Sequence, residues 1–153
     1  MRTIQRLRRS GVAVAPDCTM RAAAQAMEAA GVGALAVVEG HRPVGIVTDR
    51  DLVRRGLARG YPSGGRVDGL MSSPVVTVPA EADLHGVYEL FRTHALRRLA
   101  VVDDDGSFVG ILSLDDLLVD LARDLYDLAR PVADEIVFAH RDPPPLTVAP
   151  VGG

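Results

Sequence analysis

Gly45-Ile46-Val47-Thr48-Asp49-Arg50-Asp51 and Gly110-Ile111-Leu112-Ser113-Leu114-Asp115-Asp116 are one pattern written twice, 65 residues apart. Each reads glycine, isoleucine, an apolar residue, serine or threonine, two variable positions and aspartate. Working upstream, Val32-Gly33-Ala34-Leu35-Ala36-Val37-Val38 aligns with Leu96-Arg97-Arg98-Leu99-Ala100-Val101-Val102 at an offset of 64. Further back, Ser10-Gly11-Val12-Ala13-Val14-Ala15-Pro16 aligns with Ser73-Pro74-Val75-Val76-Thr77-Val78-Pro79 at an offset of 63. Three blocks recur in the same order, and the small changes in offset are insertions of the kind loops tolerate. The chain is an internal duplication.

Each copy reads as strand, helix, strand, strand, helix, which predicts an α/β fold of two pseudo-symmetric β-α-β-β-α halves packed sheet to sheet. The valine-rich entries at 12–14 and 75–78 predict short strands that stop at Pro16 and Pro79. In the second copy Leu84, Val87, Tyr88 and Phe91 fall on one helical face. Met20, Ala23, Ala24 and Met27 are their counterparts in the first. Apolar strands are predicted at 34–38 and 44–47, and again at 98–102 and 108–112, with polar turns between them. The closing helices start at Thr48 and Ser113, and Leu114, Leu117, Leu118, Leu121, Leu125 and Leu128 form a broad stripe suited to burial. The expected boundaries are 3–60 for the first copy and 67–128 for the second, with a glycine-rich linker between them. A tail follows over 131–153. Pro131 is read as ending the helix, Ile136-Val137-Phe138 as an added strand, and the Pro-rich end from Asp142 as extended or disordered. Copies of this size are marginal alone, so they are expected to bury their sheets against each other and share the clefts between them.

Composition narrows the chemistry. The 153 residues include 17 basic and 20 acidic side chains, for a formal charge of −3, and every basic residue is arginine. Without lysine there is no Schiff-base chemistry and no lysine-dependent phosphate loop. The near-neutral balance and the absence of tryptophan argue against a nucleic-acid partner. No apolar run approaches the length of a membrane span, and the basic stretch from Met1 to Arg9 leads into no hydrophobic signal segment. The lone cysteine, Cys18, excludes an internal disulfide and fits a reducing compartment, so a cytoplasmic location is the expectation.

The doubled Ser/Thr-x-x-Asp has two readings. As a capping box it stabilises a helix start by about 1 kcal/mol and does nothing more. As a site, a strand turning directly into a helix presents a hydroxyl and helix-start amides to a phosphate. The aspartate three residues on would repel that phosphate but accept hydrogen bonds from ribose hydroxyls, by the logic of the acidic ribose-binding residue of dinucleotide folds. The combination suits a nucleoside phosphate better than a free anion.

The G-I-(V/L)-(T/S)-x-x-D blocks, the Leu96-Arg97-Arg98-Leu99-Ala100-Val101-Val102-Asp103 strand and the Ser-Pro-Val-Val-Thr-Val-Pro entry resemble a tandem pair of cystathionine-β-synthase (CBS) domains. The resemblance covers roughly residues 3–125 and extends to the small stand-alone actinobacterial type that includes the hypoxic response proteins. It implies a non-catalytic regulatory module, often dimerised through its helices, that takes AMP, ADP, ATP or S-adenosylmethionine as ligand and requires no cofactor. By position, Asp51 and Asp116 would bind ribose hydroxyls, Thr48 and Ser113 would lie by ribose or phosphate, and Arg97 and Arg98 would meet phosphates. A homodimer and an unidentified protein partner are the further expectations.

Two departures matter. Ala36 and Ala100 stand where the family often has proline. Gly33-Ala34 stand where the second copy has Arg97-Arg98, so the two clefts are expected to differ in positive charge. Because adjacent strand positions face opposite ways, only one of the two arginines is expected to enter a cleft. His41, His85, His94 and His140 show no metal-ligand spacing, Cys18 reads as a small structural residue, and Arg6, Arg8 and Arg9 read as a solvated helix face. No nucleophile–base pair is visible, so a nucleotide-acting enzyme is the weaker alternative, behind a ligand-free scaffold.

Overall fold

The computed structural model describes residues 3–139. The chain divides into two compact units, residues 1–117 and 118–153.

The first unit holds both copies. In the first copy, β1 (Ala13–Val14) is followed by α1 (Met20–Ala30), β2 (Ala34–Glu39) and β3 (Arg42–Thr48). The second repeats the order with β4 (Thr77–Pro79), α3 (Leu84–His94), β5 (Arg98–Val102) and β6 (Phe108–Ser113). Each copy makes a three-stranded sheet with the middle strand in the same place, β1-β2-β3 and β4-β5-β6. The outer pairings are parallel on one side and antiparallel on the other, and both hairpins carry a register shift at the equivalent point, after Val37 and after Val101.

The central strands explain the continuous apolar runs. Leu35, Ala36 and Val37, like Leu99, Ala100 and Val101, are fully buried because both faces of each sheet are covered. Leu35, Val37 and Val47 pack with Ala23 and Met27 of α1, whereas Leu99, Val101 and Leu112 pack with Val87 and Phe91 of α3. On the opposite faces Ala34, Ala36, Ile46 and Ile111 form a separate cluster with Val75 and Phe108, which joins the copies. Truncating a fully buried leucine such as Leu35 or Leu99 would cost about 2–5 kcal/mol.

Ala36 and Ala100 have a visible reason for not being proline. Their amides donate to the carbonyls of Val12 and Val76 at 3.0 and 3.2 Å, bonds that proline cannot make.

Four expectations change. Ala24 is exposed where its counterpart Tyr88 is partly buried, and Ala26, like Leu90 in the second copy, takes a partly buried place beside the core. Helix α1 is set by Thr19, whose hydroxyl accepts from the Ala22 amide at 3.1 Å, and ends at Gly31 with φ +62°. After β3 the first copy has no regular closing helix. A short α2 (Asp49–Asp51) passes into a π turn (Leu52–Gly56) and a 3-10 turn (Leu57–Arg59). Gly56 abuts the Met20 sulfur there, at 2.5 Å from where a Cβ would stand.

The second copy closes with α4 (Leu114–Ala139), which runs through Pro131. The expected strand at 136–138 is therefore helical. The apolar spacing of three and four residues continues through Val132 and Ile136, and this outweighs the one amide that Pro131 lacks. Leu114 and Leu117 are the members of the stripe that enter the core. In the second unit Leu118, Leu121, Leu125 and Leu128 are exposed rather than buried, with Leu128 at 72%. The Pro-rich end from Asp142 and His140 lie outside the described residues.

Candidate functional site

The strand-to-helix junctions are capped differently in the two copies. Thr48 is extended, with φ −114°, and sits as N-cap of α2. Its hydroxyl accepts from the Asp51 amide at 3.1 Å, while its own amide and hydroxyl both donate to Asp51 Oδ2 at 2.9 Å. The capping box is complete, yet it uses only one carboxylate oxygen. Oδ1 has Arg55 Nε at 3.8 Å, an ion-pair distance but not a hydrogen bond.

At the second junction Ser113 Oγ accepts from the Asp116 amide at 3.1 Å and donates to Asp116 Oδ2 at 2.6 Å. Here the other oxygen is taken. Arg9 Nε and Nη2 reach Asp116 Oδ1 at 3.0 and 2.7 Å. Arg9 is the residue the sequence left on a solvated face; the repeat places no arginine at its second-copy equivalent, Ser72, and so gave no signal for this contact.

The segments leading into the copies are exchanged. Ser72, on the way into the second copy, pairs with Ile46 of the first, and Arg9, ahead of the first copy, pairs with Ile111 of the second. These exchanges account for the glycines of the doubled motif. A Cβ on Gly110 would lie 2.6 Å from the Arg9 carbonyl oxygen, and one on Gly45 would meet the Met71 sulfur and lie 3.0 Å from the Ser72 carbonyl. Only a residue without a side chain lets the exchanged backbone come so close.

Each cleft is consequently built from both copies. One, a cavity of about 190 Å³, gathers Thr48 and Asp51 of the first copy with Arg97 and Arg98 of the second, against Ile46, Pro74, Val75, Val76 and Leu96. The other, of about 280 Å³, gathers Ser113, Asp115 and Asp116 with Arg9, Val12, Gly33, Ala34 and Ile111. Arg98 lines this second cavity too. The six residues singled out in the sequence thus fall in these two clefts, but crossed: the arginines of the second copy face the hydroxyl and carboxylate of the first. Both arginines line the Asp51 cleft, contrary to the alternation expected of a strand, because Arg97 precedes β5; its guanidinium donates to Asp115, a residue of the other cleft, at 3.2 Å.

The architecture has counterparts. The CBS domain model matches residues 4–58 and 67–123. This chain belongs to the CBS-domain family. Its two copies are the two CBS repeats. Among curated relatives, the uncharacterized protein MK0525 of Methanopyrus kandleri is 34% identical over 113 residues, 72% of this chain and 58% of that protein. The CBS pair thus spans little more than half the length of that relative. Among solved structures, the CBS domain protein PAE2072 of Pyrobaculum aerophilum, complexed with AMP, superposes with a TM-score of 0.68 at 30% identity, covering 80% of this chain and 99% of that one. Hypoxic Response Protein I, solved with two coordinated zinc ions, superposes with a TM-score of 0.66 at 29% identity, covering 76% of this chain and 97% of that one.

Outside the clefts, other polar residues have local roles. His94 sits at the last turn of α3 with Nδ1 3.1 Å from the Leu90 carbonyl. Asp103 Oδ1 accepts from the Asp105 and Ser107 amides at 3.0 and 2.8 Å and shapes the β5–β6 turn. Burial, then the neighbouring Asp17 carboxylate, pushes the Cys18 thiol up from its ordinary value, which suits a structural rather than a reactive role. Among the described residues no three His, Cys, Asp or Glu side chains converge as a metal-ligand set, and no helix is long and apolar enough to cross a membrane.

Proposed function

We propose that this CBS pair is a non-catalytic regulatory module that binds an adenosine-type nucleotide, AMP, ADP, ATP or S-adenosylmethionine, between its repeats. The observation that carries the reading is the Asp51 cleft. Its carboxylate keeps one oxygen without a hydrogen bond, within reach of ribose hydroxyls, its apolar wall of Ile46, Pro74 and Val75 suits a base, and Arg97 and Arg98 supply positive charge for phosphate. The AMP complex of PAE2072, a CBS protein alike over most of its length, supports the ligand class. A thermal-shift series with the four ligands is the test. Saturation at a hundredfold Kd adds about 2.7 kcal/mol, or roughly 5–11 °C for a chain of this size. No shift with any of them at millimolar concentration removes the reading.

The complete capping box at Thr48 favours a second reading, a ligand-free scaffold in which Ser/Thr-x-x-Asp only starts helices. In either case the regulatory output passes to other chains. The exposed Leu118, Leu121, Leu125 and Leu128 recur at the three-and-four spacing of a helix-pairing seam, which favours a homodimer. Light scattering on the intact chain and on Leu121→Glu/Leu125→Glu should give a dimer and a monomer; a monomer for both removes the dimer.

A further inference from the structure

The position of Arg98 is doubled by the repeat while its charge is not. It lies on β5 directly across from Ser113, and the equivalent place in the first repeat, directly across from Thr48, is held by Ala34. Arg98 lines both clefts. The neighbouring cations are already engaged: Arg9 with Asp116 at 2.7 Å and Arg97 with Asp115 at 3.2 Å. Among the described residues the half-buried Arg98 guanidinium has no such partner.

We infer that Arg98 is a single anion-binding cation shared by the two clefts, so that phosphorylated ligands bind them with negative coupling. The inference rests on the nucleotide reading above and adds how the two sites regulate each other. A guanidinium forks onto one phosphate at a time with good geometry. The first phosphate therefore takes Arg98, and a second ligand finds a cleft without an available cation. The order of filling follows from charge. The Asp51 cleft sets Arg97 and Arg98 against one aspartate, whereas the other sets Arg9 and Arg98 against Asp115 and Asp116. The first phosphorylated ligand goes to the Asp51 cleft. A ligand without phosphate makes no claim on Arg98, and its two binding steps carry no such coupling.

Titration calorimetry of the full chain with AMP and with adenosine separates the possibilities. The expected result is a ratio of second-step to first-step Kd about tenfold larger for AMP than for adenosine, from one charge-assisted contact available once. In Arg98→Gln the AMP and adenosine ratios converge. In Ala34→Arg, which restores the missing symmetric cation, the AMP ratio falls toward that of adenosine. If Ala34→Arg fails to fold, the wild-type and Arg98→Gln titrations decide alone. Equal ratios for the two ligands in the wild type overturn the shared arginine but leave the nucleotide reading standing. A large AMP ratio that persists in Arg98→Gln does the same, and assigns the coupling to phosphate–phosphate repulsion. Absence of binding by either ligand at millimolar concentration overturns both.

Discussion

Replacing Asp51 by alanine separates a helix cap from a ligand site. In the structure the carboxylate accepts two hydrogen bonds, from the Thr48 amide and hydroxyl, both at 2.9 Å. Loss of the hydrogen bond from the Thr48 hydroxyl costs about 1 kcal/mol, and the part-buried Thr48 amide left without an acceptor costs about 1 kcal/mol more. A total near 2 kcal/mol lowers Tm by about 4–8 °C for a chain of this length. Thr48→Ala removes the cap hydroxyl and keeps the carboxylate, so it should lower Tm by a similar or smaller amount. The ligand response is what distinguishes them. With saturating AMP, Thr48→Ala should keep most of the wild-type thermal increment, Asp51→Ala should lose most of it, and Asp51→Ala/Asp116→Ala should lose all of it. Differential scanning fluorimetry with and without AMP reads each quantity on the same samples. If the double variant is destabilised as expected but still gains the full increment, the carboxylates are caps only, and the assignment of Asp51 and Asp116 to ribose is wrong.

Three other outcomes follow from the geometry. Arg9→Gln frees Asp116 Oδ1 from a largely exposed ion pair, so it should change stability by less than about 1 kcal/mol. It should raise the affinity of the Asp116 cleft for adenosine by up to about fivefold; weaker adenosine binding would show instead that Arg9 holds the ligand. Gly110→Ala puts a Cβ 2.6 Å from the Arg9 backbone oxygen and should cost about 1–3 kcal/mol in urea unfolding. Gly64→Ala, with open space around it, should stay within about 0.5 kcal/mol of wild type. Burial and Asp17 hold the Cys18 thiol above its ordinary pKa, so its thiolate fraction at pH 8 is below that of an unhindered thiol. Alkylation by iodoacetamide should therefore be slower than for free cysteine and faster in Asp17→Asn; a rate equal to free cysteine contradicts the shift.

Much of the fold was legible because duplication doubles every signal. Leu35 and Leu99, or Thr48 and Ser113, confirm each other's place without any alignment of relatives, and the strand order follows from the repeat. Legibility failed where an outcome depended on the partner segment rather than the local pattern. The leucines from Leu118 onward have the period of a buried helix face, and period alone cannot say whether a neighbour covers it. Pro131 reads as a terminator because the local breaker is visible in the sequence, whereas the helical period continues past it. At the clefts, the motif picks out Thr48, Asp51, Ser113 and Asp116 and the family resemblance Arg97 and Arg98, but neither gives their grouping. The exchange of lead-in segments at Ser72 and Arg9 pairs each acid with the other repeat's wall, and nothing in either copy's own residues reports that exchange. Arg9 was missed for the same reason: its partner lies 107 residues away.

The crossing of the clefts has a consequence for how such a protein is inherited. The lining of a cleft is never contained in one repeat, since Asp51 shares its cavity with Arg97 and Arg98, and Asp116 with Gly33 and Ala34. A single repeat, duplicated or transplanted by recombination, would carry an acid from one site and a wall from the other. Substitutions that tune one ligand must therefore be sought in both halves of the gene, about 45 codons apart for Asp51 and its arginines. By the same token, a chain cut in the glycine-rich linker would become a pair of fragments whose reassembly is favoured by whatever small molecule bridges them.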